Sequence, residues 1–175
     1  MNPDLDAIRR CVDGDRNSFG ALVQKYERRA IAHALTILTN RDDALDAVQE
    51  AFTDAYKAIT NFDQDKDFYP WLYVIIRNRC YATLRKRKSR PEMADCTEDY
   101  QETLVTFPVY GDAMDLDAAL KKIDPEEREI LLLKYVDGLK YKELAERLGI
   151  AIGTVMSRLH HARGKLRQII TRNEQ

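Results

Sequence analysis

Lys140 to Arg167 reads KYKELAERLGIAIGTVMSRLHHARGKLR, two short helices joined by a turn. In the first, Tyr141–Leu148, the apolar residues Leu144, Ala145 and Leu148 share one side. Gly149 follows, where a helix end favours a residue free to take positive φ. The second starts near Gly153-Thr154 and runs to Arg167. Its apolar residues Val155, Leu159, Ala162 and Leu166 recur at spacings of four, three and four, a stripe that must face a core. Away from the stripe stand Ser157, His161 and Gly164, flanked by Thr154, Met156, Arg158, His160 and Arg163. A helix buried on one face and set with Arg, His and small hydroxyls on the other fits the DNA major groove, which is wide enough to admit it. Spacing alone also describes a basic amphipathic hairpin on a helical bundle.

Upstream of this motif, Asp124-Pro125-Glu126-Glu127 predicts a helix start, with Asp as N-cap, Pro at the first position and Glu three residues after the cap. That helix should run through Ile130, Leu131 and Tyr135 to a stop at Asp137-Gly138. Leu116, Ala119, Leu120 and Ile123 form one more helical stripe, so a four-helix domain is expected over 112–175. At about sixty residues it sits near the lower limit of independent stability.

Charge is arranged in blocks that the net charge of −1 conceals. Phe68 to Arg90 holds Arg77, Arg79, Arg85, Lys86, Arg87, Lys88 and Arg90 and no acid. Glu92 to Glu127 holds eleven acids against Lys121 and Lys122. Ala151 to Arg172 is basic again and free of acids. Overlapping the acidic block, residues 89–111 carry Pro91 and Pro108 and no helical stripe, which reads as a linker. Its apolar residues, Leu104 to Tyr110, exceed what a free linker needs, so part of it should dock.

The N-terminal part, residues 1–88, is also helical by pattern. A short helix over Asp4–Val12 should end at Asp13-Gly14, and Asn17 could cap a second helix that ends near Thr39-Asn40. Residues Phe19, Leu22, Val23, Tyr26 and Ala30 give that helix its apolar face. A third, about Arg41–Thr60, packs through Leu45, Val48, Phe52, Ala55 and Ile59 and carries Asp43, Asp46, Gln49, Glu50, Thr53 and Asp54 on its other side. That acidic face is either solvated or docks a basic partner. After the polar loop Asn61–Asp67 comes FYPWLYVIIRNRCYATLRKRKSR, with Pro70 suited to a first helical turn. Its polar side, Arg77, Asn78, Tyr81 and Arg85, could hold single-stranded bases by stacking and phosphate pairing, or could mark a buried helix surfacing at its end.

The 175 residues, 45% hydrophobic and 33% charged, fit one or two small domains with ordinary cores. No apolar run approaches the ~18 residues of a membrane span. MNPDLDAIRR lacks the order of a signal peptide, so the cytoplasm is the expected compartment. Cys11, Cys80 and Cys96 are far apart and suggest neither disulfide nor zinc site; Cys80 reads as core and Cys96 as an exposed thiol. Adjacent carboxylates such as Asp42-Asp43 point to different helix sides and make poor catalytic pairs, and no phosphate loop or nucleophile motif occurs. No enzyme, cofactor or metal is expected.

Taken together, the blocks resemble the extracytoplasmic-function (group 4) sigma factors of the sigma-70 family. The resemblance rests on Gly14-Asp15, Phe19, Leu22 and Tyr26, on DDALDAVQEAFTDAYKAI and FYPWLYVIIRNRCYATLRKR, and on ALKKIDPEEREILLLKYVDGLKYKELAERLGIAIGTVMSRLHHARGKL. It spans nearly the whole chain. It implies an all-α protein of two small helical domains: sigma-2 over 1–88, an acidic linker over 89–111, and sigma-4 with a helix-turn-helix over 112–175.

The resemblance further implies a factor that does no chemistry of its own, binds core RNA polymerase and directs it to promoters. Asp43, Asp46, Gln49 and Glu50 would meet polymerase. Asn61, Phe62, Trp71, Arg77, Asn78, Tyr81 and Arg85 would melt and hold the −10 element. Thr154, Met156, Ser157, Arg158, His160, His161 and Arg163 would read the −35 element. An anti-sigma factor is the implied regulator. Lys140 stands where the family often has Ser or Thr, so the usual N-cap of that helix is missing. Met156 and the His160-His161 pair stand where Arg, Lys or an aromatic is frequent. The alternative is a stand-alone helix-turn-helix regulator that works without polymerase, which leaves the helix at Trp71–Arg85 and the linker idle.

Overall fold

The computed structural model describes residues 4–89 and 113–173. The chain divides into two compact units, Met1–Asp95 and Cys96–Gln175. Every regular element among the described residues is helical. The expected linker falls outside them except for Ser89, as does Cys96.

The first unit holds α1 (Leu5–Val12), α2 (Arg16–Leu38), α3 (Arg41–Ala58), a short 3-10 turn (Ile59–Asn61) and α4 (Phe68–Lys88). Helix α2 starts one residue before the expected cap. Asp15, not Asn17, caps it, accepting from the Asn17 N–H at 3.0 Å and the Ser18 hydroxyl at 2.7 Å. It ends at Thr39, whose φ of 60° reverses the chain. Asn40 then caps α3 by accepting from the Asp43 N–H. Helix α3 stops two residues early, because Ile59–Asn61 tightens into the 3-10 turn.

The buried face of α3 is narrower in side-chain volume than its apolar periodicity predicts. Ala44, Ala47, Ala51 and Ala55 are buried with Val48, Phe52 and Ile59, whereas Leu45 is 38% exposed. Small residues let α3 approach both α2 and α4 closely, and Leu45 lies just off that seam. Helix α4 buries Phe68, Tyr69, Leu72, Tyr73, Ile76 and Cys80, with Tyr69 and Tyr73 set against His33 of α2. Each such large side chain contributes roughly 1.5–3 kcal/mol on burial. Pro70 is the third residue of α4, where its missing N–H costs nothing, since first-turn N–H groups have no helical partner.

Buried polar groups in this unit are paired. Asp4, at the start of α1, accepts from the Tyr26 hydroxyl at 2.5 Å and from Lys25. The Tyr69 hydroxyl meets His33 Nδ1 at 3.0 Å. Both contacts join α2 to a different helix, which fixes register as well as satisfying the groups.

The second unit holds α5 (Ala113–Lys121), α6 (Pro125–Tyr135), α7 (Tyr141–Leu148) and α8 (Ile152–Asn173). Ile130, Leu133, Leu144, Val155, Leu159 and Ala162 form its centre. Arg128 is buried and turns its Nη1 toward the terminal carbonyls of α5, Leu120 at 3.4 Å and Lys121 at 3.3 Å, where a cation suits the helix end. Helix α6 runs as far as Tyr135, as expected, and that last residue is 60% exposed. The inward turn of α6 is occupied by Leu131 to Leu133, and Tyr135 falls past it at the last residue.

Candidate nucleic-acid interface

The helix pair α7–α8 is built as its sequence predicts. Lys140 has no acceptor in its side chain, so it cannot cap α7 itself. The other half of a capping box survives: the Glu143 carboxylate accepts from the Lys140 N–H at 2.6 Å. At the far end Gly149 takes φ +67°, and the Ile150 N–H reaches back to the Ala145 carbonyl at 3.1 Å. Three residues, Gly149 to Ala151, then separate α7 from α8, which extends six residues beyond the expected Arg167 to Asn173.

On α8, Val155, Leu159 and Ala162 are buried and Leu166 is half-buried. Thr154, Met156, Ser157, His160, His161, Arg163 and Gly164 are exposed. The two imidazoles stand edge to face, 5.8 Å apart, near the middle of the exposed arc. Gly164 has open space where a side chain would be, so DNA could approach the backbone there. Arg158 departs from the expectation. Its Nη2 pairs with Glu126 of α6 at 2.9 Å, and its side chain is 22% exposed. It lies on the flank toward α6, outside the reading arc. Lys165, two turns on, bonds Asp124 at 2.7 Å and Glu127 at 2.8 Å. The acids that the sequence marks as a capping box therefore serve another end. Asp124 makes no side-chain cap, and its carboxylate is held well below the usual aspartate range, chiefly by the Lys165 ammonium.

In the first unit the loop Asn61–Asp67 is braced from both sides. Phe62, expected among the −10 contacts, is buried. Its ring packs 5.7 Å from Phe68 and 5.1 Å from Trp71, so it anchors the loop to α4 and presents no face to a ligand. Trp71 is half-buried in the same cluster. Asp63 organises the loop tip, accepting from the Asp65 N–H at 3.2 Å and pairing with Lys66 at 3.2 Å. Arg9 of α1 donates to Gln64 at 3.3 Å. Asn61 is left exposed.

Along α4, Arg77 and Tyr81 are half-exposed and stacked, the guanidinium 4.7 Å from the ring centre. Asn78 and Arg85 are exposed. The structure thus brings Arg77, Asn78, Tyr81 and Arg85 onto one side. Arg79 and Arg87, which the sequence places in the same basic block, turn toward α3. Arg79 Nε donates to Asp54 at 2.5 Å and its Nη1 to Glu50 at 3.0 Å, while Arg87 pairs with Asp43. Of the acidic face expected for polymerase, Asp43 and Glu50 share these contacts, and Asp46 and Gln49 stand exposed. Spacing held a signal for this ladder: Asp43, Glu50 and Asp54 fall on one helix side, as do Arg79 and Arg87. Beside Gln49, a shallow apolar groove of about 540 Å³ lies between α2 and α3, with Phe19, Val23, Leu45 and Tyr56 in its walls.

Among the described residues no group of three or more His, Cys, Asp or Glu is placed to hold a metal ion. No described helix is long and apolar enough to cross a membrane.

Two family models match the chain: Sigma-70 region 2 over residues 22–90, and Sigma-70, region 4 over residues 113–166. The chain is 32% identical over 163 residues to the ECF RNA polymerase sigma factor SigE of Mycolicibacterium smegmatis, covering 89% of this chain and 63% of that protein. It is 30% identical over 174 residues to the ECF RNA polymerase sigma factor SigW of Bacillus subtilis, covering 92% of this chain and 93% of that protein. A similar solved structure is the sigma factor RpoE of Bartonella quintana, crystallised with the anti-sigma factor NepR. Its TM-score is 0.70 at 28% identity, over 87% of this chain and 96% of that one. On these matches, and with two helical units that each present a candidate nucleic-acid face, the chain belongs to the ECF class of sigma-70 family RNA polymerase sigma factors.

Proposed function

We propose that the chain binds core RNA polymerase and directs it to a two-part promoter, performing no reaction of its own. The observation that carries this reading is the pairing, in one chain, of a region 2 match over 22–90 with a region 4 match over 113–166. A stand-alone helix-turn-helix regulator would account for α7–α8 and leave the first unit without a task.

Residues 1–88 would be the sigma-2 domain. Asp46 and Gln49 offer the exposed part of a polymerase-docking face, with Asp43 and Glu50 contributing while shared with α4. Asn61, Asn78, Tyr81, Arg77 and Arg85 would take the melted −10 strand. Extruding a base costs a few kcal/mol, which stacking and pocket contacts offset. Phe62 and Trp71 support that loop from within. Residues 112–175 would be the sigma-4 domain. There Thr154, Met156, Ser157, His160, His161 and Arg163 would face the −35 element. Met156 can meet a thymine methyl but cannot donate to guanine. Residues 89–111 would link the two.

An anti-sigma factor is the partner this reading adds, in keeping with the NepR complex of the similar RpoE. The chain would act in the cytoplasm, with polymerase and DNA. The test is assembly with purified core polymerase. Stoichiometric binding supports the reading, and a chain that binds duplex DNA but not core would favour the stand-alone regulator.

A further inference from the structure

We infer that Glu126, with Asp124 and Glu127, acts as a set of positioning residues that make α8 more selective for DNA sequence, by holding two of its cations away from the phosphates. The inference rests on the reading of α8 as the −35 reader.

Arg158 and Lys165 are seven residues apart, two helical turns, and so share one flank of α8. That flank faces the start of α6. Glu126 takes Arg158 at 2.9 Å, and Asp124 and Glu127 take Lys165 at 2.7 and 2.8 Å. No acid occurs on α8 itself between Ala151 and Arg172, so all of this counter-charge comes from α6. An acid at the N-cap and two in the first turn are also favoured there by the helix dipole. Asp124 nevertheless makes no side-chain cap, and both it and Glu127 reach across to α8.

The consequence follows from how DNA is bound. Phosphate contacts add affinity for every sequence alike, whereas base-edge contacts discriminate. A cation already paired with a carboxylate must give up that partner before it can meet a phosphate. Removing Arg158 and Lys165 from the free set leaves Arg163, Arg167 and, in the last turn, Arg172 exposed on α8, together with Ser157, His160 and His161 on the outward arc. Neutral imidazole offers one donor and one acceptor, both directional. The reading helix is thereby weighted toward groups that see base edges. The first unit follows the same plan, where Asp43, Glu50 and Asp54 of α3 hold Arg87 and Arg79 of α4.

The test uses the full chain assembled with core polymerase and a pool of DNA duplexes with eight upstream base pairs randomised. Retention of the input pool, enrichment of selected sequences and the salt dependence of binding are measured for wild type, Glu126→Gln and Arg158→Gln. For Glu126→Gln the inference expects several-fold higher retention of the unselected pool, weaker enrichment of the same preferred sequence, and a salt slope steeper by about 0.9, the value of one added phosphate contact. For Arg158→Gln it expects retention and slope equal to wild type. An unchanged slope and enrichment in Glu126→Gln would overturn the inference. So would a sequence-independent loss of binding in Arg158→Gln, which would place Arg158 on phosphate in the native complex. A wild type that binds core but enriches no upstream sequence would remove the −35 reading and the inference with it.

Discussion

Arg79 of α4 donates to Glu50 of α3 at 3.0 Å, so a carboxylate on the proposed polymerase face is shared with the helix proposed to hold the −10 strand. Asp46, one turn earlier on α3, is exposed. Asp46→Arg should therefore weaken binding to core polymerase at least about tenfold, since like charges opposed across an interface cost several kcal/mol. Glu50→Gln should cost less, because its charge is already partly balanced by Arg79. Competition binding to purified core checks both, with thermal unfolding as the control for fold. Equal losses would mean that the Arg79 contact does not moderate Glu50.

Phe62 holds the loop Asn61–Asp67 to α4 through Phe68 and Trp71. Phe62→Ala should cost about 3–5 kcal/mol, the range for a buried aromatic truncated to alanine. Phe62→Leu should cost less, since it keeps most of the apolar contact. Urea unfolding followed by fluorescence reads this directly, because Trp71 is the one tryptophan of the chain. A loss below about 1 kcal/mol for Phe62→Ala would put the ring at the surface rather than under the loop.

Tyr69→Phe removes the hydroxyl that meets His33 Nδ1 and keeps the ring, which also stacks 5.1 Å from Tyr26. The expected cost is about 1 kcal/mol, the net worth of a typical buried hydrogen bond. The same fluorescence measurement checks it. No change in the urea midpoint would show that the contact adds nothing to stability.

Lys165 holds the Asp124 carboxyl below its ordinary range. A carboxyl whose folded pKa is depressed contributes stability that is fully present above the unfolded value, about 3.9. That contribution is lost as pH falls through the folded value. The second unit should therefore lose stability below about pH 4 more steeply in wild type than in Asp124→Asn. Circular dichroism melts of the full chain between neutral and acid pH check this. Parallel curves would mean that the Lys165 contact does not persist in solution.

The fold was legible in the sequence because apolar spacing reports helices directly. Tyr141–Leu148 and the stripe Val155, Leu159, Ala162 needed no tertiary information. What spacing cannot show is which polar residue finds a partner on another helix. Arg158 and Ser157 are neighbours on a basic helix, yet only Arg158 is opposite an acid of α6. The resemblance puts Phe62 among the −10 contacts, and only the approach of Phe68 and Trp71 reveals it as the loop's anchor. Leu45 reads as core, but the alanine seam that carries α3 runs beside it. Asp124 and Glu127 fit a local capping rule, and a lysine 41 and 38 residues further on outcompetes it. Each departure is a long-range contact overriding a local preference.

The proposed role of this chain is to give core polymerase its choice of promoter. Run-off transcription on a promoter-rich template, with purified core polymerase and the full chain, tests it most directly. Transcripts should begin at defined positions, require the chain, and fall away when Ser157, His160 and His161 are replaced together by alanine. No transcript above the level of core polymerase alone, on any such template, would contradict it.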